Sequence, residues 1–303
     1  MMRLQESIYR FLISKGFDCR IVNTDGIDLI CVTMNNDHER YIMPIEVSSA
    51  SMKDAHLQSS ELKSIIIKLS GFPLMITEDR WNSQRSMMQA RLMAHLESFF
   101  SVYARNCEIR KIDKADAAGF LEANHSYGDA ACRYRYGMFL KRHTGWRFFA
   151  DNRNNPMDTP DGIPAPGTLI AVAEFSNARK WIKGDKTIKS YEWTRYASLP
   201  GLRINGGMGK MLKHFIKEVQ PDDIMSYADL EWSEGSVYEQ LGFVLEGQKE
   251  PVTFIIDTKN WKRTAISKVP TGDSLTEDSR YFHNFGSNKS RLKLTDYQLG
   301  NNH

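Results

Sequence analysis

The stretch Ile204-Asn-Gly-Gly-Met-Gly-Lys-Met-Leu212 constrains this chain more than any other. It follows a strand pattern, Ser190 to Ser198, and opens an amphipathic helical pattern that runs from Gly209 to about Val219. Glycines at 206, 207 and 209 let successive backbone N–H groups converge without Cβ interference, and the helix start adds unpaired donors at the positive end of its dipole. Asn205, Gly206, Gly207, Met208, Gly209 and Lys210 are therefore candidate ligands for an anion such as a pyrophosphate. The bland alternative is a glycine-rich connection that joins strand to helix and binds nothing.

Length and composition bound the rest. A chain of 303 residues suggests two compact units and a tail. With 41% hydrophobic and 25% charged residues and a mean hydropathy of −0.46, it falls outside the membrane-embedded class. No apolar run approaches the roughly 18 residues of a spanning helix, and the start lacks the layout of a signal peptide, so a cytoplasmic protein without a membrane partner is expected. Cys19, Cys31, Cys107 and Cys132 form no CxxC pair, which argues against a zinc ribbon or a disulfide framework. A formal charge of +3 does not identify a nucleic-acid binder, so that case rests on where the charges cluster.

The pattern of elements predicts an α/β (α+β) protein. Leu4 to Lys15 places Leu4, Ile8, Phe11 and Leu12 on one helical face; strands follow at Cys19 to Val22, Ile27 to Met34 and Tyr41 to Val47. A helix from about Asp54 to Leu69, a strand Leu74 to Thr77 and one long helix from about Asn82 to Phe100 complete a first unit, residues 1–104. The second, residues 105–262, has strands at Cys107 to Ile112, Tyr134 to Leu140, Leu169 to Phe175, Ser190 to Ser198 and Ile224 to Ala228, with a loop over Lys141 to Thr168. Residues 263–303 read as a polar tail in which Tyr281 to Leu294 could form one hairpin.

One strand beyond the glycine turn comes Ser233-Glu-Gly-Ser-Val-Tyr-Glu-Gln-Leu-Gly-Phe243. The glycine turn, followed about thirty residues later by Tyr-x-x-Leu-Gly-Phe, resembles motifs A and B of the GNAT superfamily. That resemblance implies an acyltransferase fold with a mixed central sheet, acyl-CoA or a related acyl donor held at the turn, and Tyr238 as general acid toward the leaving thiolate. The usual turn begins with Arg or Gln where this chain has Ile204; Arg203 lies one place early. Packing inside its helix is the plain alternative for Tyr238.

Longer phrases narrow the resemblance: Phe120-Leu-Glu-Ala-Asn-His125 with Gly128, Tyr191-Glu-Trp-Thr-Arg195-Tyr, and Ser226-Tyr-Ala-Asp229 before Trp232. Their order is similar to phage-encoded Hef-like homing endonucleases, whose C-terminal half is similar to Mom-type DNA-modification proteins. The phrase Met75-Ile-Thr-Glu-Asp-Arg-Trp81 is similar to their Vsr-like, PD-(D/E)xK-related nuclease half. The resemblance implies acyl transfer to a nucleobase amine in DNA, with His125, Arg195, Asp229 and Tyr238 lining the cleft. Arg195 and Asp229 could equally be a buried ion pair, and His125 a structural histidine. An alternative is a Mg²⁺-dependent endonuclease using Asp28 and Glu46, although Ser48 stands where its lysine is expected, with Lys53 or His56 as substitutes. A third is an N-acetyltransferase for protein or small amines.

Basic residues with interleaved aromatics mark the expected DNA contacts. One group, Arg179, Lys180, Trp181, Lys183, Lys186 and Lys189, reads as a basic loop between two core strands. Another, Arg142, Trp146 and Arg147, lies in the long insertion and could help extrude a base. A solvated basic face is the sober alternative.

Overall fold

The computed structural model describes residues 3–34, 38–69, 71–142, 147–149, 164–183, 186–269 and 276–296. Leu4, Ile8 and Leu12, four residues apart, are buried on one side of α1 (Leu4–Ser14). β1 (Cys19–Thr24), β2 (Ile27–Thr33) and β3 (Glu39–Ile45) form an antiparallel meander. The crossover helix α2 (Met52–Lys68) lets β4 (Leu74–Thr77) join β3 in parallel. Ser51 caps α2 by accepting from Asp54 N at 3.2 Å.

The single long helix expected after β4 is replaced by α3 (Glu78–Ser83) and α4 (Arg85–His95), broken at Gln84 with φ −128° and ψ 42°. Phe99 and Phe100, assigned to that helix's end, instead begin β5 (Phe99–Tyr103), whose Phe100 and Val102 face the largest core. Tertiary burial outweighs helical periodicity there.

The remaining strands and helices are β6 (Cys107–Lys111), α5 (Lys114–Asn124), β7 (Tyr134–Leu140), β8 (Arg147–Phe149), β9 (Leu169–Phe175), β10 (Arg179–Lys183), β11 (Lys186–Ser198), β12 (Leu202–Asn205), α6 (Gly207–Val219), β13 (Asp223–Asp229), α7 (Ser236–Gln240), β14 (Val244–Lys249), β15 (Thr253–Asp257), β16 (Lys262–Ala265), β17 (Ser279–His283) and β18 (Ser287–Lys293). The protein is thus α+β, with a mixed central sheet ordered β14–β18–β13–β11–β9–β7–β6 and β10 added to β11. Only the β11–β13 joint is parallel within that order. One face packs on α6, where Phe175 and Phe215 stack with centroids 3.9 Å apart; the other receives Ala117 and Leu121 of α5. No helix among the described residues is long and apolar enough to cross a membrane.

The chain laces its parts together more than the expected boundaries allow. β5 pairs in parallel with β12, across the boundary at 104. After β14, the sheet β16–β15–β17 turns back onto the N-terminal meander, burying Ile256 and Phe282 with Leu29, Met43, Leu62 and Ile65. The chain then returns as β18 between β13 and β14. Beyond residue 262, β16, β17 and β18 thus belong to sheets where a polar tail is expected, and Tyr281 to Leu294 is not one hairpin, since β17 and β18 belong to different sheets. A polar strand can sit so centrally because its charge is neutralised locally: Arg291 Nη1 lies 2.5 Å from the buried Asp223 Oδ1.

Arg263 of β16 fastens the three parts. Its Nε and Nη2 donate to Asp79 at 2.7 and 2.9 Å, Nη1 to both oxygens of Glu231 at 2.8 and 2.9 Å, and Nη2 also to Thr77 Oγ1 at 3.0 Å. Removing the guanidinium leaves Asp79 without its ion pair and Glu231 with Arg80 alone, both buried. Arg263→Met is expected to cost about 3–5 kcal/mol in urea unfolding, and a variant as stable as the parent would show that the parts are held otherwise.

Candidate functional site

The parallel joint of the central sheet opens into a fork. β11 and β13 pair from Ser190–Asp223 to Trp193–Ser226 and then part; beyond that β11 follows β9 and β13 follows β18. The register slips between Trp193 and Arg195, leaving Thr194 as a bulge that turns the strand away. Tyr238 of α7 fills the vertex. The Ser226 hydroxyl lies 2.8 Å from Tyr238 Oη and 2.9 Å from Trp193 O, and can donate its single proton to either. Burial raises the Tyr238 pKa, so the phenol keeps its proton at neutral pH, while the Ser226 bond pulls weakly the other way.

The glycine turn stands on the β11 side of the fork. Gly206 is the N-cap of α6 in a left-handed conformation, φ 75°, which favours glycine. A Cβ on Gly207 would meet the Tyr196 hydroxyl at 2.9 Å and Ile204 at 3.0 Å, so close packing requires the second glycine. The aromatic hydroxyl that meets the turn is thus that of Tyr196, which sequence reasoning missed; its position on the diverging arm of β11 could have been read only from the fork. Lys210 N is the first α6 amide bonded back, to Gly206 O at 2.9 Å, and the Gly207, Met208 and Gly209 amides belong to the turn whose donors a helix leaves for a ligand.

Two of the expected anion ligands are turned elsewhere. Lys210 Nζ donates to the carbonyls of Ala104 and Cys107 at 2.9 and 2.5 Å, and Asn205 Nδ2 donates to Ser101 Oγ at 2.7 Å. Both are drawn off by the linker and strand that pair with β12. Met208 packs against the largest core. Main-chain donors, and not the lysine, are what this turn has to offer an anion.

Past the vertex, both arms carry polar groups. Arg195 donates through Nε to Gly128 O at 3.0 Å and through Nη1 to Thr194 O at 2.9 Å. Asp229 accepts from the Tyr127 hydroxyl at 2.5 Å and from Glu231 N at 2.9 Å, with Arg80 of α3 at 4.0 Å. The direct Arg195–Asp229 pair considered from sequence is replaced by Arg80 and Tyr127, two groups that local patterning does not mark. His125 Nδ1 accepts from Tyr127 N at 3.1 Å, which puts the proton of the neutral ring on Nε2. Burial, then the positive charges of Arg195 and Arg80, lower the His125 pKa to about 4.

On the neighbouring strand, Glu174 stands in register between Arg135 and Arg195 and is fully buried. Arg135 Nε lies 3.1 Å from Glu174 Oε1, away from a hydrogen-bonding direction. Burial and the adjacent Asp129 charge push the Glu174 pKa up to about 7.

The expected DNA contacts divide. Residues Arg179 to Lys183 pair antiparallel with Lys186 to Ser190 as strands β10 and β11 where a loop is expected, with Trp181 and Ile182 exposed at 48% and 82%. Arg179, Lys180 and Lys189 are exposed on these strands, Arg179 lying 3.8 Å from Glu192, and their backbone includes Lys183 and Lys186. Arg142 and Arg147 are exposed; Trp146 lies outside the described residues.

The expected metal ligands remain a pair. Asp28 accepts from Asn23 Nδ2 at 2.7 Å, and both Asp28 and Glu46 are exposed. Among the described residues, no three His, Cys, Asp or Glu side chains are placed to share a metal ion. His56, a substitute for the missing lysine, instead bonds Thr253 Oγ1 at 3.1 Å and stacks on His283.

No protein-family model matches the chain, and no curated protein matches it significantly. Among solved structures it is similar to a histone acetyltransferase HPA2 and related acetyltransferase from Corynebacterium glutamicum, at 11% identity and TM-score 0.34, covering 64% of this chain and 99% of that one. It is also similar to yncA, a putative acetyltransferase from Salmonella typhimurium with its cofactor acetyl-CoA, at 15% identity and TM-score 0.33, covering 64% and 97%. A third is the KacTA–DNA complex, at 15% identity and TM-score 0.26, covering 59% and 92%. Likeness at these levels assigns no activity.

Two outcomes follow from the geometry. Gly207→Ala should lose about 1–3 kcal/mol of unfolding free energy through overpacking, and adding Tyr196→Phe should recover part of it; equal losses in both would place the clash elsewhere. Glu174 is raised from 4.5 to about 7, so the folded chain holds a proton that the unfolded chain releases in that range, and stability is lost as pH rises through it. Glu174→Gln should therefore gain on the parent by up to about 3 kcal/mol between about pH 5 and pH 8, read from urea midpoints; a difference independent of pH would contradict this.

Proposed function

We propose that the chain is an acyltransferase of GNAT type, built from residues of the central sheet, and that its acceptor is a nucleobase amine in DNA. One observation carries the reading: Tyr238 bonds Ser226 at the vertex of a strand fork, and Leu241, three residues on, lies 3.4 Å from where a Cβ on Gly209 in the first turn of α6 would stand. The acyl-CoA donor is a substrate here, its phosphates suited to the Gly207, Met208 and Gly209 amides. On this reading the acceptor nitrogen attacks the thioester carbonyl, the C–N bond forms and the C–S bond breaks. The departing sulfur takes the Tyr238 proton, and the proton lost by the amine passes to Asp229, whose Oδ2 gives up Tyr127.

The DNA acceptor is favoured by the β10–β11 hairpin, where exposed Trp181 and Ile182 stand beside Arg179, Lys180 and Lys189. The first unit, residues of β1 to β4 with α1 to α4, then acts as a platform for Asp229.

Tyr238→Phe should lower kcat by about 100-fold with donor affinity unchanged, measured by thiol release alongside calorimetric titration with acetyl-CoA. Full activity in that variant would remove the tyrosine from the chemistry. Mass spectrometry of nucleosides from DNA of expressing cells should reveal an acylated base; finding only the four ordinary nucleosides would overturn the DNA acceptor.

A further inference from the structure

β5 is the middle strand of a small sheet, β12–β5–β8, whose two faces differ sharply. Phe100, Val102, Leu202 and Ile204 point into the largest core. On the other face, Ser101 is the register partner of both Arg203 and Arg147, which places these arginines on strands flanking β5. The Arg203 guanidinium lies 4.0 Å from the Phe99 ring centroid, while those of Arg105 and Arg147 lie 4.6 and 6.0 Å from that of Tyr103.

All three arginines are exposed, and among the described residues none forms an ion pair. Glu97, the carboxylate that acts on Arg203, is already paired with Arg40 at 3.0 Å. Contacts of 4.0 and 4.6 Å to the ring centroids restrain the Arg203 and Arg105 guanidiniums, with Arg147 more loosely placed at 6.0 Å, and such contacts compete little with N–H bonding to phosphate. The face ends at Asn205, one residue before the glycine turn.

We propose that this face is a nucleic-acid-binding surface that tracks consecutive phosphates of the acceptor strand. It rests on the reading of DNA as acceptor and adds a second set of backbone contacts to the cations of β10–β11. Spacing separates it from a subsite for a single pyrophosphate. Phe99 and Tyr103 are four residues apart on an extended strand, about 13 Å, and Arg147 and Arg203 are two strand spacings apart, about 10 Å. A polyanion spans such distances, and one diphosphate does not. Guanidiniums suit phosphate oxygens through their fork of donors, and neutralising a track of phosphates makes binding depend steeply on salt.

The test is fluorescence anisotropy of a labelled DNA duplex against salt, with wild type and the triple variant Arg105→Gln/Arg147→Gln/Arg203→Gln. The variant should bind at least about 10-fold more weakly near 0.1 M salt, and its log–log salt slope should flatten by about 3. The corresponding Arg→Lys triple variant, which keeps the charge, should keep the slope. Should the Gln triple fail to fold, Arg105→Gln alone should flatten the slope by about 1. An unchanged slope in the Gln variants, or no salt-dependent binding by wild type, overturns the proposal. Loss of acetyl-CoA affinity with DNA affinity intact overturns it too, since the face would then serve the donor. Absence of any thiol release with the expected DNA result would refute the transferase and leave this surface standing.

Discussion

Everything in the arrangement of this protein passes through one guanidinium with no donor to spare. Arg263 comes from the sheet inserted after β14, Asp79 from the N-terminal unit and Glu231 from the segment following β13, so three stretches of chain converge on five N–H groups. Phe254 and Phe282 cover it at 5.2 and 4.6 Å from their ring centroids, which removes water and raises what each partner is worth. Burial by itself opposes the charge of Arg263, and the flanking Glu231 and Asp79 more than offset it. Such a site contributes specificity of docking more than net stability, because the same ions would be comfortable in water.

That specificity reaches the fork. Glu231 also accepts from Arg80 Nε at 3.3 Å, and Arg80 lies 4.8 Å from the Tyr127 ring and 4.0 Å from Asp229. Arg91, stacked 3.9 Å from the Trp232 ring, donates to the carbonyls of Glu231 and Trp232 at 2.9 and 2.6 Å. The loop that leaves β13 is thus held by residues from the other end of the sequence, and Asp229 inherits their rigidity. An N-terminal unit without any chemistry of its own would still be indispensable to a site placed there.

What the sequence could reveal tracks how local each cause is. The glycine turn, the helix it opens and the short helix carrying Tyr238 are set by residues adjacent in the chain, and they stand where patterning places them. The meander β1 to β3 and the crossover to β4 were legible for the same reason. By contrast, β18 owes its central place to Arg291 finding Asp223, a pairing across sixty-eight positions that leaves the strand polar and unremarkable in periodicity. Lys210 looked like an anion ligand because of its neighbours and is claimed by carbonyls a hundred residues away. Tyr196 was invisible because nothing in Arg-Tyr-Ala-Ser says that the strand will have left its partner by then.

The charge balance inside the fork bears on which amine could enter it. Asp229 is committed to Tyr127 and to the Arg80 side, while His125 is held neutral by burial and by the two guanidiniums of Arg195 and Arg80. Burial is the larger cause of that depression, and the two guanidiniums add to it. An alkylammonium such as a lysine or a polyamine would have to shed a proton before attacking. The exocyclic amine of a nucleobase carries no charge at neutral pH. Under the proposed transfer, the difference between the two kinds of acceptor is thus whether a proton must leave before attack.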